Sequence, residues 1–453
     1  MARLTIRILV GLAGLLAVAA LSTAFALRVT PAQSVAALGQ TVDVGTATPT
    51  LSLSGPGVLD LFGQSLPTSA TFTGPVRPRL ALTNITINQQ VANFLTPAGR
   101  RSEESVLGRT LADGWIRYFA WEIGFTALGA LVLGLAYVGV RRPTWRRSLL
   151  TLGVAVAVAE AANLGGVMLT AYSAPGILRH VHSLTALVGR SPQPPIAAAA
   201  GPPTRGVDAV VLGDSTAAGL GNRPVPSPSA LDQACGRSSD AYAVDLADVN
   251  GWNVENLACS GATIANGILG PQRLERGLTA PAQLAEAKRA RGVKAIFVSV
   301  GADDVRWDVM VELCAVSKTC DSAASTAYFQ SNLNQFTKDY YELLAQLAAL
   351  HGHPKVVVNQ YYDPFGSDLR CLNHVGLTSD KVKVLVQRLD ALNAVLSKGA
   401  KASGFRSVQP DFSGHQLCSA QPYVQGLTDP APFHPTASGE LAIGFADEGA
   451  LGR

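Results

Sequence analysis

Hydrophobic patterning divides this chain into stretches of different kind. Residues 8–27, 118–140 and 149–172 are long, apolar and almost uncharged, which predicts three membrane-spanning helices. Beyond residue 207 the pattern changes. Short apolar runs at 208–212, 252–257, 295–300 and 355–359 alternate with helical patterns at 281–291, 328–350 and 379–402. Such alternation predicts a parallel sheet with helices on both faces, a three-layer α/β/α domain. Residues 41–96 instead alternate apolar and polar positions between turn residues, as in Thr50–Gly57 and Arg79–Ile87, and predict a small β-rich region. Arg101, Glu103, Glu104 and Arg109 fall at helical spacing and predict a helix over 100–117 that leads into the second span. A Pro/Ala-rich stretch at 190–206 reads as a linker.

The chemistry sits where the strand-like runs end. Asp208–Leu212 is broken by Gly213, and Asp214-Ser215 then opens a small-residue segment, Thr216–Gly219. A serine at a strand-to-helix junction is exposed among unpaired backbone N–H groups, the donors a developing oxyanion needs. Two further strand-like runs end at Ala258-Cys259-Ser260-Gly261 and Val300-Gly301-Ala302-Asp303-Asp304. Near the C-terminus, His434 stands between Pro432-Phe433 and Pro435, ahead of a helix-like stretch at 439–446.

Four such blocks in this order resemble the SGNH (GDSL) hydrolase family, over roughly residues 207–453. The resemblance implies an SGNH-type fold and ester hydrolysis, with Ser215 as nucleophile, Gly261 as an oxyanion donor and His434 as general base. Two positions depart from the family pattern. Asp303 stands where the family has an asparagine donating to the oxyanion, and an ionised carboxylate cannot donate. Asp303 is therefore expected to be protonated, turned away, or replaced by backbone N–H groups. Ala431 stands where the family has an aspartate orienting the histidine. The carbonyl of Ala431 is the expected substitute, and Asp429 is the nearest upstream acid. Tyr361, Tyr362 and Phe365, following the fourth strand-like run, are candidates to line the substrate pocket.

Charge places these parts about a membrane. Mean hydropathy is +0.23, high for a soluble chain. Arg141, Arg142, Arg146 and Arg147 crowd the short loop between the second and third spans and predict a cytoplasmic loop. Residues 28–117 and 173–453 then face outward, and Arg3 and Arg7 agree with an inside N-terminus. Ala24-Phe25-Ala26 also reads as a cleavage site, so residues 1–27 are a first span or a signal segment. The expected organisation is 1–27, an exterior β-rich region 28–117, a span 118–140, a cytoplasmic loop 141–148, a span 149–172, a linker 173–206 and a hydrolase domain 207–453. Glu160, with Asn163 close by, falls inside the third span and is expected to be protonated and hydrogen-bonded to a neighbouring helix.

All six cysteines (Cys235, Cys259, Cys314, Cys320, Cys371, Cys418) lie in the last of these parts, which reads as disulfides in an oxidising compartment. Six cysteines allow fifteen pairings, and the sequence alone does not choose. The resemblance implies pairs between sequence neighbours, 235–259, 314–320 and 371–418. The first would brace the loop between the serine and glycine blocks. No CxxC or close Cys/His cluster points to a metal, and no cofactor is expected. A net charge of +4 with 15% charged residues gives no nucleic-acid footprint. The expected partners are the membrane and an ester substrate, either a lipid or an acylated glycan. Hydrolysis through an acyl-Ser215 intermediate is the expected activity. The alternatives are acyl transfer to an envelope glycan or lipid, and a non-catalytic envelope-binding protein retaining the fold.

Overall fold

The computed structural model describes residues 2–37, 40–47, 52, 54–74, 76–85, 97–142, 144–178, 197–199 and 201–452. Contacts divide the chain into two units, Met1–Leu61 with Ser65–Arg190, and Phe62–Gln64 with Ser191–Arg453.

The first unit combines helices and a sheet. Helices α1 (Ala2–Val29), α2 (Pro97–Arg141) and α3 (Trp145–Leu178) pack on one another. Each carries a segment long and apolar enough to cross a membrane: Gly11–Val29, Asp113–Arg141 and Trp145–Leu169. The expected helix over 100–117 and the second span are thus one continuous helix. Inside the bundle, Asn163 Nδ2 donates to Glu122 Oε2 at 2.7 Å and Thr126 Oγ1 donates to Glu122 Oε1 at 3.1 Å. Glu122, rather than Glu160, makes the hydrogen bond to Asn163 across the helices.

Strands β1 (Gln33–Ala37), β2 (Gln40–Thr46), β3 (Ser54–Leu61), β4 (Gln64–Thr73) and β5 (Pro78–Ile85) form a sheet of order β1-β2-β5-β3-β4. The strands begin earlier than the expected residue 41, and residues 86–96 lie outside the described residues. Trp115 Nε1 donates to Gly45 O at 3.2 Å, and the Tyr118 hydroxyl meets Thr46 Oγ1 at 2.7 Å, which fasten α2 to the sheet. Of the expected linker, 179–196 and 200 lie outside the described residues.

The second unit is built on five parallel strands: β6 (Ala209–Gly213), β7 (Val254–Asn256), β8 (Ala295–Ser299), β9 (Lys355–Asn359) and β10 (Arg406–Val408). Ala209 to Leu212 and Phe297 to Val298 are wholly buried. That explains why these runs are continuously apolar rather than alternating. The sheet order is β10-β9-β8-β6-β7. Strand order therefore reverses between β6 and β8, and ligands in open α/β sheets bind in the crevice at such a reversal.

The reversal also distributes the helices. A right-handed crossover places helices on opposite faces when the chain moves in opposite directions along the sheet. Helices Ala323–Ala348 and Ser379–Ala402 pack together, the first through Leu333, Phe336, Tyr340 and Leu344. Tyr242–Asn250 packs with the C-terminal helix Ala437–Leu451. Three helices escape the sequence pattern, Ala230–Cys235, Tyr242–Asn250 and Trp307–Val316, as does the three-residue strand β10.

A buried polar network joins the C-terminal helix to the sheet. Asn359 Nδ2 donates to Ser299 Oγ and to Asp447 Oδ2, both at 3.2 Å, and Ser299 Oγ meets the Tyr242 hydroxyl at 3.1 Å. Glu440 Oε2 accepts the Tyr242 N–H at 3.0 Å. Glu440 and Asp447 are wholly buried, and burial pushes both carboxyls well above their ordinary range. An acid whose pKa rises on folding binds a proton in the folded state. Its stabilising contribution is complete below the unfolded pKa and is lost as pH rises through the window above it. Glu440→Gln removes that dependence and keeps an oxygen for the Tyr242 N–H. The melting temperature of the variant should exceed that of the parent at pH 8 and differ little at pH 5, as read by thermal denaturation. A variant less stable than the parent at pH 8 would contradict a neutral Glu440.

Candidate active site

The nucleophile position follows from how β6 ends. A Cβ at Gly213 would lie 2.5 Å from the Ser299 carbonyl oxygen, so only glycine lets β6 and β8 end side by side. Asp214 N–H then donates to that same oxygen at 3.1 Å. Asp214 is the N-cap of a short helix, Ser215–Ala218, its Oδ1 accepting from Thr216 N at 3.0 Å. Ser215 is thus the first helical residue, where a backbone N–H has no intrahelical acceptor.

His434 reaches Ser215 from 219 residues away, with Nε2 at 2.8 Å from Oγ. Its Nδ1 lies 3.1 Å from the Pro432 carbonyl oxygen. A carbonyl only accepts, so Nδ1 carries the proton and Nε2 is the free base facing the serine hydroxyl. The orienting hydrogen bond goes to the Pro432 carbonyl, and the Ala431 carbonyl, the expected acceptor, also acts on the ring in the same sense. Phe433, between these carbonyls and the histidine, adopts a left-handed φ of 68°. That conformation costs on the order of 1 kcal/mol for a side-chain-bearing residue. Its surroundings hold it. Tyr362 O–H donates to Phe433 O at 2.7 Å, and Phe433 N donates to Gln425 O at 3.0 Å. Gln425 Nε2 donates to both Leu220 O, at 2.7 Å, and Pro435 O, at 2.9 Å. The buried Gln425 amide therefore ties the histidine loop to the segment just after the serine. Burial keeps the His434 pKa below its ordinary value.

Asp429 lies elsewhere. It is exposed and its Oδ2 accepts Gly426 N at 2.6 Å within its own turn. It makes no recorded contact with the histidine ring.

Gly261 sits on the loop after β7, and its φ of 76° requires glycine. The loop is anchored on both sides. Cys259 N donates to Gly213 O at 3.1 Å, and Ser260 N donates to Cys235 O at 3.0 Å. Asp304 Oδ1 accepts Ile264 N at 3.0 Å. The Cys235–Cys259 disulfide closes the same loop, and the other pairs are Cys314–Cys320 and Cys371–Cys418.

Asp303 lines the cavity that holds Ser215 and His434. Its Oδ2 is buried without a hydrogen-bond partner among the described residues. Desolvation, with the nearby Asp214 and Asp304 carboxyls adding to it, pushes its pKa up to about 8. At neutral pH the group is then a carboxylic acid and can donate. The cavity encloses about 320 Å³ and is walled by Trp307, Val311, Leu389, Leu392 and Pro364, with Tyr361 and Tyr362 at its inner side. Phe365 is set back, packing edge-on against Phe433 at 5.9 Å between ring centroids. Among the described residues, no group of three or more His, Cys, Asp or Glu side chains is placed to hold a metal ion.

The sequence signals missed Trp307 and Val311, on a helix that the reading did not include, and the role of Gln425, which depends on a contact spanning about half the chain. The serine and histidine blocks were visible because each stands at a break in local pattern.

The chain is similar to known proteins over this second unit. A lipase of Streptomyces rimosus is 29% identical over 259 residues, covering 54% of this chain and 86% of the relative. Lipase 1 of Streptomyces coelicolor is 29% identical over 244 residues, covering 51% and 81%. Among solved structures, the extracellular lipase of Streptomyces rimosus aligns at 24% identity with a TM-score of 0.41, over 54% of this chain and 99% of that one. Phospholipase A1 of Streptomyces albidoflavus aligns at 22% identity with a TM-score of 0.38, over 54% and 99%. The profile of the GDSL-like lipase/acylhydrolase family matches residues 211–442, and this chain, an ester hydrolase, belongs to that family.

Proposed function

We propose that this chain is a membrane-anchored, extracytoplasmic serine esterase or lipase that cleaves carboxylic esters through an acyl-Ser215 intermediate. The observation that carries the reading is the Ser215–His434 hydrogen bond at 2.8 Å, set in an apolar cavity. His434 Nε2 takes the serine proton as Oγ attacks the ester carbonyl, and returns it to the leaving alcohol. Water then enters by the same route and releases the acid.

The Ser215 and Gly261 N–H groups, with the protonated Asp303 carboxyl, hold the oxyanion. A well-placed donor of this kind contributes roughly 3–4 kcal/mol. The apolar walls at Trp307, Val311 and Leu392 suit the acyl chain of a lipid ester better than a polar glycan. The two Streptomyces relatives named lipases support the same substrate class.

The arginine-rich turn between α2 and α3 supports a cytoplasmic loop, and three disulfides in residues 207–453 support an oxidising exterior for the catalytic unit. Three apolar helices supply the anchor.

A serine-reactive fluorophosphonate should label the full chain in detergent, and Ser215→Ala should abolish both labelling and hydrolysis of p-nitrophenyl butyrate. His434→Ala should lower kcat ~10⁴-fold or more. An unlabelled parent chain would favour a non-catalytic binding role.

The pH profile should be bell-shaped. The acidic limb reports protonation of His434 and lies below its ordinary value. The alkaline limb reports loss of the Asp303 proton near pH 8. Asp303→Asn should keep the plateau rate and remove the alkaline limb, whereas a large loss of plateau rate would assign the carboxylate a different task.

Protease added to intact spheroplasts should degrade residues 207–453, and full protection would reverse the orientation.

A further inference from the structure

Two strand ends must stay in register for the oxyanion site to exist. One is the end of β6, with Asp214 and Ser215, and the other is the end of β8, with Ala302 and Asp303. Past the ladder of β6 and β8, a backbone bond joins them at Asp214 N, which donates to Ser299 O at 3.1 Å. Beyond that point the chains diverge into separate helices, Ser215–Ala218 and Trp307–Val316. A side chain from a third strand end closes the gap. The Tyr361 hydroxyl donates to Asp214 Oδ2, and its oxygen accepts the Ala302 N–H at 2.9 Å.

We propose that Tyr361 is the positioning residue of the oxyanion site, its hydroxyl clamping the serine-bearing strand end to the one that carries Asp303. The proposal rests on the ester-hydrolase reading above. Three features support it. First, the hydroxyl uses both its donor and an acceptor on these two segments, so each bond fixes the other. Second, the Tyr361 backbone is held independently. Tyr361 N donates to Asn393 Oδ1 at 2.8 Å, and Tyr361 O accepts from Asn393 Nδ2 at 2.8 Å and Gln409 Nε2 at 3.0 Å. The ring is therefore aimed from a fixed base, and Tyr361→Phe keeps that base. Third, the pairing withdraws Ala302 N–H from the reaction, leaving the Asp303 carboxyl as the donor from this strand end.

The clamp also sets a charge. The Tyr361 O–H and the Thr216 N–H stabilise an ionised Asp214 against its burial. Asp214 is faced by Tyr242, Tyr362, Glu440, Asp303 and Asp304 as well as Tyr361. Asp303 is faced by Asp214, Asp304 and Asp308, by Arg306 with the opposite sign, and by His434 and Glu312 across the cavity. The Asp214 charge makes ionisation of Asp303 harder. Without the tyrosine hydroxyl, Asp214 holds a proton more readily, its charge fades, and Asp303 ionises at lower pH. The alkaline limb of the rate profile then moves down in pH, which loosened packing alone would not produce.

The test compares the parent chain, Tyr361→Phe, Asp214→Asn and the double variant, all in detergent with p-nitrophenyl butyrate. Folding is followed by circular dichroism. Tyr361→Phe should lower kcat about 10- to 100-fold, the scale of a misplaced donor, with KM within about threefold of the parent. Its alkaline limb should shift to lower pH, Asp214→Asn should give the same shift, and the double variant should lose no more than the worse single variant. A kcat within threefold of the parent, an unmoved alkaline limb, or additive losses would overturn the proposal. Should Tyr361→Phe fail to fold, the alkaline limb of Asp214→Asn decides, an unmoved limb counting against the clamp. A parent chain that neither turns over the ester nor reacts with fluorophosphonate would overturn the ester-hydrolase reading, and the proposal with it.

Discussion

The close approach of Gly213 to Ser299 governs the catalytic unit. No side chain fits at position 213, because a Cβ there would lie 2.5 Å from the Ser299 oxygen. The absence of that atom lets β6 and β8 run in contact to their last residues, with Ser299 paired to Gly213 in register. The chain leaves β6 toward β7 on one side and reaches β8 on the other, so a crevice opens at their ends. Ser215 and Asp303 project into that crevice from its two banks. The histidine arrives from a loop pinned by the Gln425 amide and the Tyr362 hydroxyl. A larger residue at 213 would separate the strand ends and displace Ser215 from His434 and from the proposed oxyanion donors.

Around this junction the protein concentrates carboxyls where solvent is scarce. Asp214, Asp303, Asp304, Glu440 and Asp447 all have pKa values raised first of all by burial. In low dielectric, neighbouring acids cannot all ionise, so the cluster settles on few charges and several protons. Asp214 keeps a charge most easily, because the Tyr361 hydroxyl and the Thr216 N–H both donate to it. Asp303 Oδ2 is buried with no donor among the described residues, and burial raises the pKa of the carboxyl so that it holds its proton at neutral pH. An aspartate where relatives of the resembled family carry an asparagine therefore stays chemically close to the amide in one respect: it presents a donor. It differs in being titratable, which ties this oxyanion site to pH.

The sequence exposes the parts of this arrangement whose signals are local. Apolar runs broken by glycine mark the ends of β6 and β8, and the serine and histidine blocks stand at those breaks or between prolines. The three-residue β10 lies outside the apolar runs that the sequence reading picked out. Helix Trp307–Val316, which walls the cavity, follows a loop rather than a strand. The Pro432 carbonyl that meets the histidine lies next to the left-handed Phe433, a conformation that sequence reading does not anticipate for phenylalanine. Tyr361 is visible in sequence only as one aromatic among several. Its task emerges when the fold brings its hydroxyl to Asp214 across a sequence separation of 147 residues. Long-range side-chain contacts of this kind leave no periodicity to read.

The most direct test of the account is to trap the covalent intermediate. The full chain in detergent would be mixed rapidly with p-nitrophenyl butyrate, quenched in acid within milliseconds, digested and mapped by mass spectrometry. The account predicts one butyryl group, on the peptide that contains Ser215, appearing with the burst of p-nitrophenol and absent in His434→Ala. Turnover without any acyl adduct on Ser215, or an adduct on another residue that forms at the burst rate, would contradict it.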